Sequence, residues 1–338
     1  MAKLNPVKIL RRTATCALIL ALLVVMLGAY TRLTNAGLGC PDWPGCYGHM
    51  VLPSAQNDLT QAQSQYPQAP IEAAKAWTEM GHRYAAGTLA LLILGMGLSV
   101  FFLARKGMRL PWVLPLTLLL VVAFQAALGM WTVTLKLLPV VVMGHLLGGI
   151  LIFACLCYFR WQLSDVKRQD MSLWRAWIGA GMVIVFCQIA LGGWVSSNYA
   201  GMACIGFPQC NGQWFPKMHF SQAFNLFSTV GANYQGGILD HDARMTIQWV
   251  HRIGAYATAV YILLLCGLIL LRVRKNPLRI AAMVAMLLVL MQVTLGVISV
   301  VYLLPLWAAV AHNGVAALLL ATMVSMHYLA TRGVEHAS

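Results

Sequence analysis

The chain has 338 residues, of which 60% are hydrophobic and only 9% charged, with a formal net charge of +14. Globular proteins in water carry about 25% charged residues, so a soluble domain is excluded. A basic excess of this size suggests nucleic acid only where it forms a patch, and here its placement points elsewhere.

Eight apolar runs can be read along the chain, at about 13–33, 80–103, 112–134, 140–159, 174–196, 246–271, 280–302 and 307–329. Each is roughly the 20 residues that span a bilayer as a helix. The first run is too long, and too poorly followed by small residues, to read as a cleaved signal peptide. Basic residues cluster before run 1 (Lys3, Lys8, Arg11, Arg12), between runs 2 and 3 (Arg105, Lys106, Arg109) and between runs 4 and 5 (Arg160, Lys167, Arg168, Arg175). Others lie between runs 6 and 7 (Arg272, Arg274, Lys275, Arg279) and after run 8 (Arg332). That places 16 of the 23 basic residues on one side. By the positive-inside rule that side is cytoplasmic, with both termini. The expected class is an all-α integral membrane protein, and nucleic acid is not an expected partner.

The outer connections are unequal. Those after runs 3 and 7 are short, each marked by Leu-Pro (Leu138-Pro139 and Leu304-Pro305). Those after runs 1 and 5 are long, about 34–77 and 197–243, and long loops are often functional. Within the second, Phe220, Phe224, Phe227 and Val230 are spaced as one face of a short interfacial helix; scattered loop aromatics are the plainer alternative.

An internal repeat organises the chain. A shift of 164 lays Leu27-Gly28 on Leu191-Gly192, Ala36-Gly37 on Ala200-Gly201, Cys40 on Cys204, Pro44 on Pro208, Cys46 on Cys210 and Gly48 on Gly212. A shift of 167 lays Gln125, Leu128, Gly129 and His145 on Gln292, Leu295, Gly296 and His312. The expectation is two tandem four-helix bundles, residues 1–160 and 161–338. An even number of helices gives both units one orientation, so an axis along the membrane normal should relate them. Gly28, Gly129, Gly192 and Gly296 are candidates for close helix contacts; simple tolerance of glycine in lipid is the alternative.

Each unit carries two histidines in its apolar runs: His82 and His145, then His251 and His312. A lone histidine in a membrane helix is often only a hydrogen-bonded polar residue. Ionisable groups in membrane helices nonetheless mark functional sites, and here they recur as duplicated pairs near the outer ends of alternate helices. Two imidazoles facing across a bundle can hold a haem iron. No cysteine, aspartate or second histidine lies three or four residues from them to complete a zinc or copper shell. Arg83 and Arg252 each follow a histidine; they either snorkel or fork onto haem propionates. Glu79 lies three residues before His82, on the same helix face, where it either meets the helix dipole or acts on what His82 binds. Gln248 holds that place in the second unit, so only the first unit has a proton-accepting group there. Cys40/Cys46 and Cys204/Cys210 form two C-x5-C pairs in the outer loops, where disulfides are expected. Cys16, Cys155, Cys157, Cys187 and Cys266 read as apolar packing. His49, His219, His241, His327 and His336 carry no assigned role.

In combination these residues resemble the haem A synthase family over nearly the whole chain. The resemblance rests on Thr31-Arg32-Leu33-Thr34 leading to Gly39-Cys40-Pro41-Asp42-Trp43-Pro44-Gly45-Cys46, on Glu79-x-x-His82-Arg83, on Gly144-His145, on His251-Arg252 and on His312-Asn313-Gly314. It implies oxidation of the C8 methyl of haem O to a formyl group in two rounds, giving haem A for cytochrome oxidase. It further implies haem b on His251 and His312 in the C-terminal half. Haem O would be the substrate between His82 and His145, with Glu79 near the methyl group. Implied partners are haem O, the haem O synthase, an electron partner and membrane lipid, in a bacterial inner membrane; a homo-oligomer is compatible. Two rivals are a bis-histidine dihaem electron-transfer cytochrome and a haem or small-molecule transporter. Glu79 counts against the first, and the placement of the histidines near one membrane face counts against the second.

Overall fold

A computed structural model describes residues 5–166, 171–227, 229–230, 232–274 and 277–331. Lys3, Lys167, Arg168, Lys275, Arg332 and His336 lie outside the described residues. The helices in chain order are α1 (Pro6–Leu33), α2 (Gln56–Gln65), α3 (Ala73–Arg105), α4 (Val113–Thr134), α5 (Pro139–Gln162), α6 (Ser172–Ser197), α7 (Phe220–Ala223), α8 (His241–Arg272), α9 (Pro277–Val301) and α10 (Leu306–Leu329). Among the described residues, eight helices are long and apolar enough to cross a membrane: all but α2 and α7. They match the eight apolar runs. Large apolar side chains such as Leu91, Leu120, Leu264 and Leu271 face outward, 63–82% exposed. That exterior suits lipid, where a helix satisfies its own backbone hydrogen bonds.

Helix packing repeats from one half to the other. α1 packs on α3 and α5, and α6 packs on α8 and α10; α3 meets α4 as α8 meets α9; α4 meets α5 as α9 meets α10. Across the halves α1 meets α10, α5 meets α6, and α5 meets α10. Exchanging each helix for its repeat counterpart returns the same set of contacts, with α5 and α10 paired at the centre. There Trp161 Nε1 donates to Ser325 Oγ at 2.8 Å, and Cys157 Sγ lies 3.5 Å from the same hydroxyl. One buried apolar cluster runs through both halves, from Leu10 and Ile93 to Ile269 and Met323.

The backbone of the connections repeats too. Lys136 and Leu137 in the α4–α5 turn have φ of 48° and 63°, and Leu303 and Leu304 after α9 have 57° and 63°. Left-handed φ is uncommon outside glycine, so matching pairs at one offset reflect a shared turn. The turn closes through Leu137 N–H to Thr132 C=O and, 167 residues on, Leu304 N–H to Ser299 C=O.

Two expectations need amendment. The 34–77 connection is not all loop, because α2 lies within it. The 220–230 segment is helical only over Phe220–Ala223. Asn225 Oδ1 accepts the Phe227 N–H at 2.9 Å, a local turn that competes with helix continuation. Phe227 and Val230 therefore do not extend a helical face.

Candidate functional site

The four histidines occupy corresponding levels: His82 is the tenth residue of α3, His251 the eleventh of α8, and His145 and His312 the seventh of α5 and α10. Each imidazole rests against a glycine on the neighbouring helix. A Cβ built on Gly28 would lie 3.1 Å from His82 Cε1, one on Gly129 3.2 Å from His145, one on Gly192 3.1 Å from His251 and one on Gly296 3.3 Å from His312. Bare backbone at these four places is thus what admits the rings. This decides the glycine question in favour of close contact.

In the N-terminal half the His82 and His145 ring centres are 6.3 Å apart, with planes at 81°. A metal sits about 2 Å from an imidazole nitrogen, so two rings flanking one iron have centres about 6 Å apart. In the C-terminal half His251 and His312 both line a cavity of about 410 Å³, together with Gln188, Gly192, Gln248, Gln292, Gly296 and Asn313. That volume is within the roughly 300–1,000 Å³ of ligand sites. A ligating imidazole commonly turns its second nitrogen to a carbonyl. The Nδ1 atoms of His82, His145 and His312 are buried without a hydrogen-bond partner, each beside its glycine seat. Around His251 the Gln188 amide nitrogen lies 3.0 Å from Nδ1 and 2.9 Å from the His251 carbonyl oxygen. Seats and donor set in both halves, with the ring spacing in the N-terminal half and the cavity in the C-terminal half, fit a haem held by two histidines. Among the described residues no group of three or more His, Cys, Asp or Glu forms a metal centre of another kind.

Above each site sits a disulfide loop, Cys40–Cys46 in one half and Cys204–Cys210 in the other. Arg83 Nη1 donates to the carbonyls of Asp42 (3.0 Å), Pro44 (3.1 Å) and Gly45. Arg252 Nη1 donates to Gly206 (2.9 Å) and Gln209 (3.2 Å), the positions 164 residues after Asp42 and Gly45. Of the two readings of these arginines, snorkelling and pairing with propionates, neither includes what the structure shows at their Nη atoms, which meet the loop carbonyls. The guanidinium fork reaches several converging carbonyls at once, and Arg252 still keeps its buried Nε free of a partner.

The halves differ around Glu79. The residue as a whole is 5% exposed. Oε2 accepts the Cys40 N–H at 2.9 Å, and Oε1 pairs with Arg83 Nη2. Gly39 makes this possible, because a Cβ there would lie 2.6 Å from the Lys75 carbonyl carbon. Glu79 is the seventh residue of α3, beyond the first turn where a helix dipole acts strongly, so the dipole reading loses support. In the C-terminal half Gln248 lines the cavity with Oε1 unpartnered, and Arg252 Nη2 turns to the Cys204 carbonyl. Beyond the site residues named from sequence, the structure adds Gln188, sets one imidazole on each of the four glycines, and brings Arg32 of α1 into the lining of the C-terminal cavity. Periodicity carries no sign of such an approach between halves. His49 and His219 are engaged through their backbone N–H groups, with Cys46 C=O and Thr246 Oγ1, and His241 opens α8. His327 lies near Gly179 at the other end of the bundle.

A family model, COX15-CtaA, described as cytochrome oxidase assembly protein, matches residues 11–324. A protein of Shewanella oneidensis named heme A synthase is 45% identical over 315 residues, covering 92% of this chain and 93% of its own length. Others of that name, from Paracoccus denitrificans and a Caulobacter species, are 30% and 28% identical over 90% and 93% of this chain and 84% and 94% of their own.

Proposed function

Because the chain belongs to the COX15-CtaA family of cytochrome oxidase assembly proteins, we propose that it is an oxidoreductase that converts haem O to haem A. The observation that carries the reading is a duplicated bis-histidine seat in which one copy alone has a buried carboxylate, Glu79, three residues from its histidine. The C8 methyl group is oxidised to a hydroxymethyl and then to a hydrated aldehyde, each round as a half-reaction adding one water, releasing two protons and passing two electrons to an external acceptor; the hydrate then loses water to give the formyl group.

His82 and His145 grip the substrate haem O from opposite sides, and the outward apolar surface lets its farnesyl tail remain in lipid. Glu79 offsets positive charge developing beside the ring as the methyl carbon is oxidised, an effect that is strong where water is excluded. Cys40 N–H and Arg83 fix the two carboxylate oxygens, so the charge is in place before substrate arrives. Gln248 keeps the second half neutral at that position. His251 and His312 hold haem b, which when bound supplies one-electron redox chemistry. The loops lie outside the cell membrane, with both termini in the cytoplasm, as the basic residues described at the opposite helix ends support.

The experiment is expression in cells that make haem O but no haem A, followed by chromatography of extracted haems. Haem A should appear with this chain and not without it. Only haem O and haem B in both would defeat the proposal.

A further inference from the structure

The C-terminal cavity is lined by two arginines and, among the described residues, by no aspartate or glutamate. One is Arg252 of its own half. The other is Arg32, from the last turn of α1 in the opposite half. Arg32 Nη2 donates to the Ser196 carbonyl at 2.6 Å, and its guanidinium lies 3.7 Å over the Tyr199 ring. These two contacts fix the plane of the group. The Nε atoms of both arginines are buried without a hydrogen-bond partner. The N-terminal half is different, since Arg83 there is matched by Glu79. The repeat counterpart of Arg32, 164 residues on, is Ser196, so nothing equivalent is sent the other way.

Two guanidinium groups with free donors beside a low-dielectric cavity are costly unless an anion meets them, and guanidinium pairs best with carboxylate. We propose that Arg32 is a carboxylate clamp contributed across the halves, recognising an acidic group on the ligand of the C-terminal cavity. The inference rests on the reading that this ligand is haem b, whose two propionates match two arginines. Gly28, which seats His82, lies one turn before Arg32 on α1. The clamp therefore binds the C-terminal ligand to the helix that shapes the N-terminal seat.

The test is a chemical double-mutant cycle on the purified full chain. Wild type, Arg32→Gln and Arg32→Lys are loaded with haem b or with its dimethyl ester, which has no free carboxylate. The rate of transfer to apomyoglobin is then read. Arg32→Gln should speed loss of the diacid roughly tenfold to a hundredfold, the usual worth of a charge-assisted hydrogen bond. It should leave loss of the diester unchanged. Arg32→Lys should be intermediate with the diacid. Equal acceleration of both ligands, or of neither, would overturn the clamp. Tyr199→Leu keeps the charge but removes its support, and should show a smaller loss confined to the diacid; should Arg32→Gln not fold, this variant decides by the same comparison. An unchanged b-type spectrum in His251→Ala would sink the reading of the cavity itself, separately from the clamp.

Discussion

Glu79→Gln isolates a charge from a shape. Glu79 and Arg83 are 7% and 13% exposed at their side chains, so solvent screens their pairing little. Removing one partner of a buried pair can cost about 3–5 kcal/mol. Here the cost should be lower, because Arg83 keeps the carbonyls of Asp42, Pro44 and Gly45. The amide has one acceptor oxygen for two donors, Cys40 N–H and Arg83, so one hydrogen bond to a charged partner is lost, about 1.5–3 kcal/mol. The second half shows the relaxed arrangement: with Gln248 in place, Arg252 Nη2 turns to the Cys204 carbonyl, and Arg83 can turn likewise to Cys40. The variant should insert, keep its haem b and melt several degrees lower. Conversion of haem O should fall by about a hundredfold to a thousandfold, the scale of losing one preorganised electrostatic group, with haem O or its hydroxymethyl derivative accumulating. Chromatography of haems from cells co-expressing haem O synthase, at matched protein level, measures this. Normal haem A yield would reduce Glu79 to a strut for the disulfide loop. Gln248→Glu should not create a second site of oxidation.

Four further outcomes are expected. His251→Ala and His312→Ala should each lose the low-spin b-type absorbance of the purified protein; retention in both would reverse or remove the assignment of halves. Gly192→Val, which fills the His251 seat where even a Cβ comes within 3.1 Å, should lose the same signal. Gly87→Ala, with nothing within 4 Å of the added carbon, should leave the spectrum intact and stabilise its helix by up to about 1 kcal/mol. After reduction, Cys40, Cys46, Cys204 and Cys210 should react with an impermeant thiol reagent from the outer side; reaction from the cytoplasmic side alone would invert the topology.

The membrane helices were legible because hydropathy and length nearly determine them in lipid. Their ends were not. α3 begins at Ala73 and α8 at His241, several residues before the apolar runs, because the first turns stand among polar loops and carry no hydropathy signal. That extension places Glu79 well inside a helix. The histidine pairs and the Glu79–Gln248 contrast were readable from the repeat alone. The partners of Arg83 and Arg252 were not, since they lie 38–48 residues away in sequence across a loop whose path the pattern does not specify. The glycine seats were half legible: the repeat named the residues, but only the packing shows a ring on each. α2 escaped notice because its sequence, Gln56–Gln65, has no apolar stripe and buries only Ala62.

The central pairing of α5 with α10, and of α1 and α6 with the opposite half, bears on ancestry. A single four-helix unit, cut free, would expose faces of α6 and α10 that fit the faces of α1 and α5, which are its own counterparts. Such a unit carries a surface complementary to a second copy of itself, the requirement for a closed two-fold dimer. A symmetric dimer of half-length chains, each with one pair of histidines, is therefore a self-consistent forerunner of this fold. Fusion of two such units into one chain would release the copies from identity. One could then acquire a carboxylate at position 79 while the other kept an amide, a division that no homodimer can make.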